Sequence, residues 1–142
     1  MTRDQRGLSL SIEFVVLLPA LMLIMATLIG GGRLALARIT VQQWADSAVR
    51  AASLARDPAT ARTQAQAVVT ADADTSSVHC VGGPALNADT SAFSRPLGEA
   101  GQVTASVACR VPMADLLLPG VPGEFVVEAQ ASSTLDRYRG RR

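Results

Sequence analysis

The sequence predicts an α+β fold that begins with one long membrane helix, and three observations lead to this prediction. Residues Phe14 to Gly32 contain no charged side chain. Helical periodicity then continues, with one break, to residue 73. Beyond residue 100, apolar and polar residues alternate as they do in half-buried strands. We therefore expect a transmembrane helix over residues 8–32, an extracytoplasmic helical region over 33–73, and a small antiparallel sheet of about three strands within 74–142.

The uncharged segment has the length of a membrane span. Its 19 residues make roughly 28 Å of helix, close to the roughly 30 Å hydrocarbon core of a bilayer. It is also apolar on every side, which a surface helix of a soluble protein is not. Residues 1–7 would form a short cytoplasmic leader. Signal cleavage at Ala35-Leu36-Ala37 is an alternative, but Arg33 interrupts it, so we favour an anchor that is uncleaved or processed elsewhere.

Glu13 and Pro19 are unusual residues for such a helix. A carboxylate at the bilayer centre costs about 2.5–3.5 kcal/mol, so an acidic residue in a span is a candidate for function. Glu13 has a second interpretation, in which it lies among the headgroups at the positive end of the helix dipole. Pro19 removes one helical hydrogen bond and favours a kink, although membrane helices tolerate prolines.

The helical region should carry the membrane helix outward as an amphipathic helix. Apolar residues recur at three- and four-residue steps, which predicts a stripe packed on the protein's own domain: Val41, Trp44, Ala45, Ala48, Ala52 and Ala55. A polar stripe lies at strict four-residue spacing: Arg38, Gln42, Asp46 and Arg50. Asp57-Pro58 breaks this helix, with Asp57 as the cap of a second helix over residues 58–73.

Three strands are expected after the second helix, at residues 77–81, 102–111 and 124–133. Residues 84–101 are small and polar and indicate a loop. In the second strand, every other residue is apolar: Val103, Ala105, Val107, Cys109 and Val111.

The two cysteines, Cys80 and Cys109, fall on the apolar faces of the first and second of these strands. If this side of the membrane is extracytoplasmic, we expect them to form a disulfide. The loop that it closes would contribute roughly 3–4 kcal/mol to stability. The cysteine pair is also what places the C-terminal domain outside, because arginines flank the membrane helix on both sides.

Two further segments allow alternatives. Leu116, Leu117, Leu118 and Val121 are very apolar for the connection between the last two strands. They either cap the open end of the sheet or contact a partner or a membrane. The tail from Asp136 to Arg142 carries four arginines. It is either solvated or touches anionic lipid or wall polymer.

The sequence contains no recognisable catalytic motif, so we expect a structural or interacting protein and no enzyme. His79 is the only histidine, and there is no phosphate loop, nucleophile elbow or metal-ligand spacing. We therefore expect no cofactor and no metal. The net charge of +1 argues against nucleic acid as a partner.

The N-terminal stretch resembles that of TadE-like proteins, which are pilin-like minor components of Tad (tight adherence, Flp-type) pili. The matching features are Arg6-Gly7 before the helix, Glu13 near its start, Pro19 within it and Gly32-Arg33 after it. An alanine-rich helix ending in Arg50-Ala51-Ala52 follows. Downstream, VACRVPMADLLLPGVPGEFVVEAQASSTLDRYRG also resembles the C-terminal part of members of the family.

This resemblance implies a pilin-like fold and a minor pilin, or pseudopilin, in pilus assembly at the cell membrane or cell surface. The implied partners are membrane lipid, other pilin-like subunits, the assembly platform and a prepilin peptidase that cleaves between Gly7 and Leu8. Glu13 and Pro19 would then serve assembly. Cleavage there makes Glu13 the sixth residue of the mature chain, where pilin-like families have glutamate fifth. The alternative function is a membrane-anchored envelope domain that binds a ligand or protein unrelated to pili.

Overall fold

The computed structural model describes residues 6–96, 98–116 and 122–136, with side chains from residue 14 onward except that of Leu116. Most of the predicted leader, the apolar residues 117–121 and the basic tail after Asp136 lie outside the described residues. The elements in chain order are α1 (Arg6–Leu54), α2 (Pro58–Thr75), β1 (Ala85–Asp89), a short 3-10 helix (Ser91–Ser94), β2 (Gly101–Pro112), α3 (Met113–Leu116) and β3 (Glu124–Leu135).

The fold class is the predicted one. A long apolar helix is followed by a second helix and by a three-stranded antiparallel sheet in the order β1-β2-β3. Helices α1 and α2 pack side by side, and α1 also lies across β2 and β3. We call this folded part, from Arg33 onward, the head.

Helix α1 is a single element of 49 residues, or roughly 74 Å at about 1.5 Å per residue. It passes through Pro19 and through the three glycines at residues 30–32 without interruption. Each glycine costs about 1 kcal/mol of helix stability relative to alanine. The strong helix formers on both sides and the packing of the C-terminal half on the head offset that cost. The predicted continuation of the membrane helix into an amphipathic helix is therefore confirmed.

The alanine-rich stripe of α1 forms the centre of the core. Its predicted members are all buried, and Ala37 and Val49 join them. Because alanine side chains are short, the backbones of α2 and of the sheet can approach α1 closely. Trp44, at 3% exposed, is the one large side chain in the stripe. The stripe therefore packs within its own head, as predicted.

Helix α2 begins where the sequence predicts. One carboxylate oxygen of Asp57 accepts from the backbone N–H of Thr60 at 2.8 Å, and the other accepts from the Thr60 hydroxyl at 2.7 Å. Pro58 occupies the first turn, where its missing N–H costs nothing. The helix ends at Thr75, two residues later than predicted, and buries Ala61, Ala65 and Val69.

The central strand β2 confirms the predicted alternation. Residues 103, 105, 107, 109 and 111 are at most 3% exposed and face the helices. In β3, Val127 lies opposite Cys109 and Ala131 lies opposite Ala105, so the apolar faces of the two strands coincide. The opposite face of the sheet is mostly polar and open.

The first predicted strand was placed wrongly. Residues 77–81 form no strand, because Gly82 and Gly83 adopt φ values of 78° and 83° and turn the chain immediately afterwards. The Val81 N–H still donates to the Arg110 carbonyl of β2 at 2.8 Å. The strand β1 instead lies at Ala85–Asp89, within the predicted loop, and pairs with residues 104–108 of β2.

Candidate membrane and assembly surface

The N-terminal half of α1 is not covered by the other residues that the structure describes. Its large apolar side chains from Phe14 to Ile29, here called the uncovered segment, are between 46% and 70% exposed. Among the described residues, α1 is the one helix long and apolar enough to cross a membrane. A core helix of a soluble protein would bury these side chains, so the exposure favours a membrane span over a core helix.

The predicted processing and assembly residues all lie on α1. Gly7, Leu8 and Glu13 belong to its first turns by backbone conformation, and their side chains lie outside the described residues. Pro19 is exposed within the uncovered segment. Because proline lacks an N–H, the carbonyl of Val15 has no helical donor there. A helix packed alongside can compensate such a carbonyl in lipid.

Cys80 and Cys109 form a disulfide, with their Cα atoms 5.2 Å apart. Cys109 is fully buried in β2, the middle strand of the sheet, whereas Cys80 belongs to the irregular segment after α2. The bond therefore ties the connection between α2 and β1 to the middle strand of the sheet. Both cysteines lie beyond the membrane helix, as the expected extracytoplasmic position of the head requires.

Two side chains of α1 form hydrogen bonds to distant parts of the head, one to α3 and one to β3. The Arg33 guanidinium donates to the backbone carbonyl of Asp115 at 2.9 Å, and the Gln42 side-chain amide donates to the carbonyl of Gln130 at 3.1 Å. Their partners are more than eighty residues away in sequence. No local pattern could have predicted these contacts, although Arg33 itself was recognisable as the first charge after the uncharged segment.

A cleft of about 410 Å³ opens beside Arg33, between α1, the segment after α2 and the end of β2. It is lined by Arg33, Leu36, Ala37, Ser77, Val78, His79, Val111 and Asp115. Its lining combines apolar side chains with one arginine, one histidine and one aspartate. Within the described residues, no three potential metal-ligating side chains lie close together.

Comparison with protein-family models matches residues 9–50 to the family described as TadE-like protein. Residues 9–50 are therefore similar to TadE-like proteins. The resemblance seen in the sequence is thereby confirmed over the part of the chain that contains Glu13, Pro19 and Gly32-Arg33. Searches among curated proteins and among solved structures gave no match.

The TadE-like domain coincides with most of α1 and includes both of its halves. It starts near the beginning of the helix, spans the uncovered segment and ends at Arg50 within the covered stripe. The matched residues therefore include the one described helix that is a candidate for a membrane anchor. The rest of the head lies outside the matched residues.

Proposed function

We propose that this chain is a TadE-like minor pilin, a membrane-anchored structural component of Tad/Flp-type pilus assembly with no enzymatic activity. One observation carries the proposal. A single continuous helix has an N-terminal half that is apolar and uncovered, and a C-terminal half that forms the core of a folded head. The TadE-like match covers the junction between these halves.

The uncovered segment requires an apolar environment. Burying a Leu, Ile, Phe or Met side chain contributes about 1.5–3 kcal/mol relative to leaving it in water. Twelve large apolar side chains between Phe14 and Ile29 are exposed, so water is not their environment. A bilayer supplies apolar surroundings, and the apolar helices of other pilin-like subunits supply them during assembly. Membrane lipid and these subunits are therefore the proposed partners, together with the assembly platform.

The proposed orientation places the N-terminus in the cytoplasm and the head outside the cell membrane. The disulfide supports it, because such bonds persist in oxidising compartments and are rare in the cytosol. In this orientation, the residues before the helix face the compartment where the chain is made. A prepilin peptidase acting between Gly7 and Leu8 would then release a chain that begins at the start of α1.

Deleting the gene and imaging surface filaments tests the function. We expect filaments to be absent or fewer, and to return when the wild-type gene is supplied. Normal filament number and length in the deletion strain would contradict the proposal and favour the alternative, an envelope domain unrelated to pili.

Glu13 is the residue that we propose to hold the helix in register with a neighbour. Lipid tails are as apolar as the helix, so the hydrophobic effect gives no preference for one register. A carboxylate can give one by pairing with a cationic group, such as the amino terminus of a processed neighbour. Removing one partner of a buried pair costs several kcal/mol.

Glu13→Gln tests this role because it keeps size and hydrogen bonding but removes the charge. We expect the variant to insert, fold its head and form the disulfide, but no longer to co-purify with pilin subunits. Glu128→Gln, on the exposed face of β3, is the matched control and should assemble normally. Normal assembly of Glu13→Gln would contradict this role and favour the interpretation in which Glu13 only lies among the lipid headgroups.

Processing is tested by intact-mass and N-terminal analysis of protein purified from its native membrane. Cleavage between Gly7 and Leu8 predicts Leu8 as the first residue. A purified chain that still carries Arg6-Gly7 would show that the protein is not cleaved between Gly7 and Leu8 and remains an unprocessed anchor.

A further inference from the structure

The end of the sheet nearest the uncovered segment carries exposed apolar side chains. Phe125 is 37% exposed and Val126 is 51% exposed. They project to opposite faces of β3, since Phe125 lies opposite Val111 and Val126 lies opposite Arg110. Leu36, on the adjacent part of α1, is 63% exposed. We call this end of the head its base, and it comprises Arg33, Leu36, Arg110, Asp115, Glu124, Phe125 and Val126.

The hydrogen bond from Gln42 to Gln130 fixes the height of β3 along α1. Five strand residues separate Gln130 from Phe125, or about 17 Å at roughly 3.4 Å per residue. Val111 lies opposite Phe125 in the sheet and lines the cleft together with Arg33 and Leu36. Phe125 therefore lies close to the height of Arg33 and Leu36, at the outer end of the uncharged segment.

A second connection gives the same height independently. Arg33 donates to the carbonyl of Asp115 in α3, and the Met113 N–H of α3 donates to the Gly123 carbonyl at 2.9 Å. Gly123 is two residues before Phe125. The start of β3 is thus fastened, through α3, to the first charged residue after the uncharged segment.

The covered stripe of α1 also begins inside the uncharged segment. Gly30 is buried, Leu34 packs against the core and Ala37 is 2% exposed. These positions follow the helical repeat that continues into Val41. The stripe that packs on the core therefore begins at the outer end of the helix segment that has the length of a bilayer core.

We infer that the base of the head is a second membrane contact, with Phe125 and Val126 inserted into the outer phospholipid surface. This inference rests on the proposed membrane anchoring. Apolar side chains at such a surface lie about 5–10 Å into the boundary between headgroups and acyl chains. Arg33 is the first charged residue after the uncharged segment, a position from which an arginine side chain reaches the headgroups.

The charges of the base favour contact with a zwitterionic lipid surface over specific binding of anionic lipid. Arg33 and Arg110 are exposed, and so are the carboxylates of Asp115 and Glu124. Two positive and two negative groups match the mixed charges of zwitterionic headgroups, whereas binding to anionic lipid uses clusters of basic residues. The apolar side chains therefore provide the attraction. With α1 and β3 both in contact, the bilayer fixes the tilt of the head.

Tryptophan quenching by brominated lipids tests this contact on the full chain in phosphatidylcholine vesicles. Three variants place the probe at different heights: Leu23→Trp in the uncovered segment, Phe125→Trp at the base, and Thr134→Trp at the far end of β3. The native Trp44 is buried, and its signal is subtracted using the wild-type chain. Bromine is placed either near the headgroups or deep in the acyl chains.

We expect Leu23→Trp to be quenched most by deep bromine. Phe125→Trp should be quenched most by shallow bromine and several-fold more than Thr134→Trp. If Leu23→Trp is quenched but Phe125→Trp is quenched no more than Thr134→Trp, the chain is anchored but its base faces water or protein. This result overturns the lipid contact of the base and leaves the membrane anchoring intact. If Leu23→Trp is not quenched, the proposed anchoring fails and the contact fails with it.

Discussion

The two halves of α1 use opposite side chains for opposite surroundings. In the uncovered segment, the helix presents Leu, Ile, Met, Val and Phe on all sides, and they are exposed. In the covered half, the buried stripe is mostly alanine, at 0–6% exposed. One helix thus carries its large apolar side chains where no other described element covers them, and its smallest where the described elements pack most closely.

This contrast shows that the apolar size of a side chain does not by itself indicate a protein core. A water-soluble core of this size would draw on Leu, Ile and Phe, yet here the head relies on Ala and Val. Close backbone approach and the disulfide compensate for the small amount of apolar surface. The large side chains are reserved for an environment outside the folded head, which is what a membrane anchor requires.

Removing the disulfide should give the largest difference between the two parts of the molecule, since it acts on the head and not on the membrane helix. Replacing both Cys80 and Cys109 by Ala is expected to lower the free energy of unfolding of the head by about 3–4 kcal/mol, because the unfolded head gains the freedom of an open loop. Membrane insertion should not change. Thermal unfolding in detergent, followed through Trp44 emission, measures the stability of the head, and membrane fractionation measures insertion.

The bond itself is checked by alkylating unreduced protein. Labelling of both thiols would contradict the disulfide and the extracytoplasmic position of the head. Wild-type protein that is reduced and then unfolded should show the same loss of stability as the double variant.

The same substitution in the two halves should have different consequences. Ala48→Leu adds volume where α1 is completely buried, and overpacking of this kind costs about 1–3 kcal/mol. Ala20→Leu makes the identical change where the helix is exposed, and should leave the unfolding of the head unaltered. Thermal unfolding of both variants measures the difference. An equal loss for the two would mean that the halves are not packed differently.

The smallest effect concerns the cap of α2 in the covered part. The hydroxyl and the backbone N–H of Thr60 donate to Asp57 and hold the pKa of its carboxyl below the ordinary value of 3.8. Because the pKa of Asp57 is lower in the folded state, its ionised carboxylate stabilises the folded head. This stabilisation is complete at pH values above the ordinary pKa, and it is lost as the pH falls through the pKa of the folded state.

Asp57→Ala should therefore lower the melting temperature at neutral pH, and the difference from wild type should shrink below about pH 4. Thr60→Val keeps the backbone donor but loses the hydroxyl, so it should give a smaller decrease. A difference for Asp57→Ala that stays constant to low pH would show that the charge of the cap contributes nothing.

The sequence predicted those parts of the fold that repeat a local pattern. The uncharged segment, the alanine stripe, the Asp57-Pro58 start of α2 and the alternation in β2 are each encoded within a few turns of helix or a few strand residues. The membrane-anchor candidate and the cysteine pair followed from the same kind of observation.

The remaining features depend on contacts between distant residues. Strand β1 has the sequence ALNAD, in which Asn and Asp disfavour strands, and only the open edge of β2 draws it into the sheet. The alternation of Val78 and Cys80 suggested a strand that the Gly82-Gly83 turn prevents. The hydrogen bonds that set the height of the head, from Arg33 and Gln42, join residues with no local relation.

The most direct test of the central claim, one helix with a lipid half and a head half, is cysteine labelling in native cells stripped of their outer wall. Leu23→Cys lies in the uncovered segment and Leu54→Cys, at 83% exposed, lies at the outer end of α1. A membrane-impermeant maleimide should label Leu54→Cys before lysis and leave Leu23→Cys unlabelled until the membrane is dissolved and the protein denatured. Equal labelling of both positions would contradict the membrane span, and labelling of Leu54→Cys only after lysis would reverse the orientation.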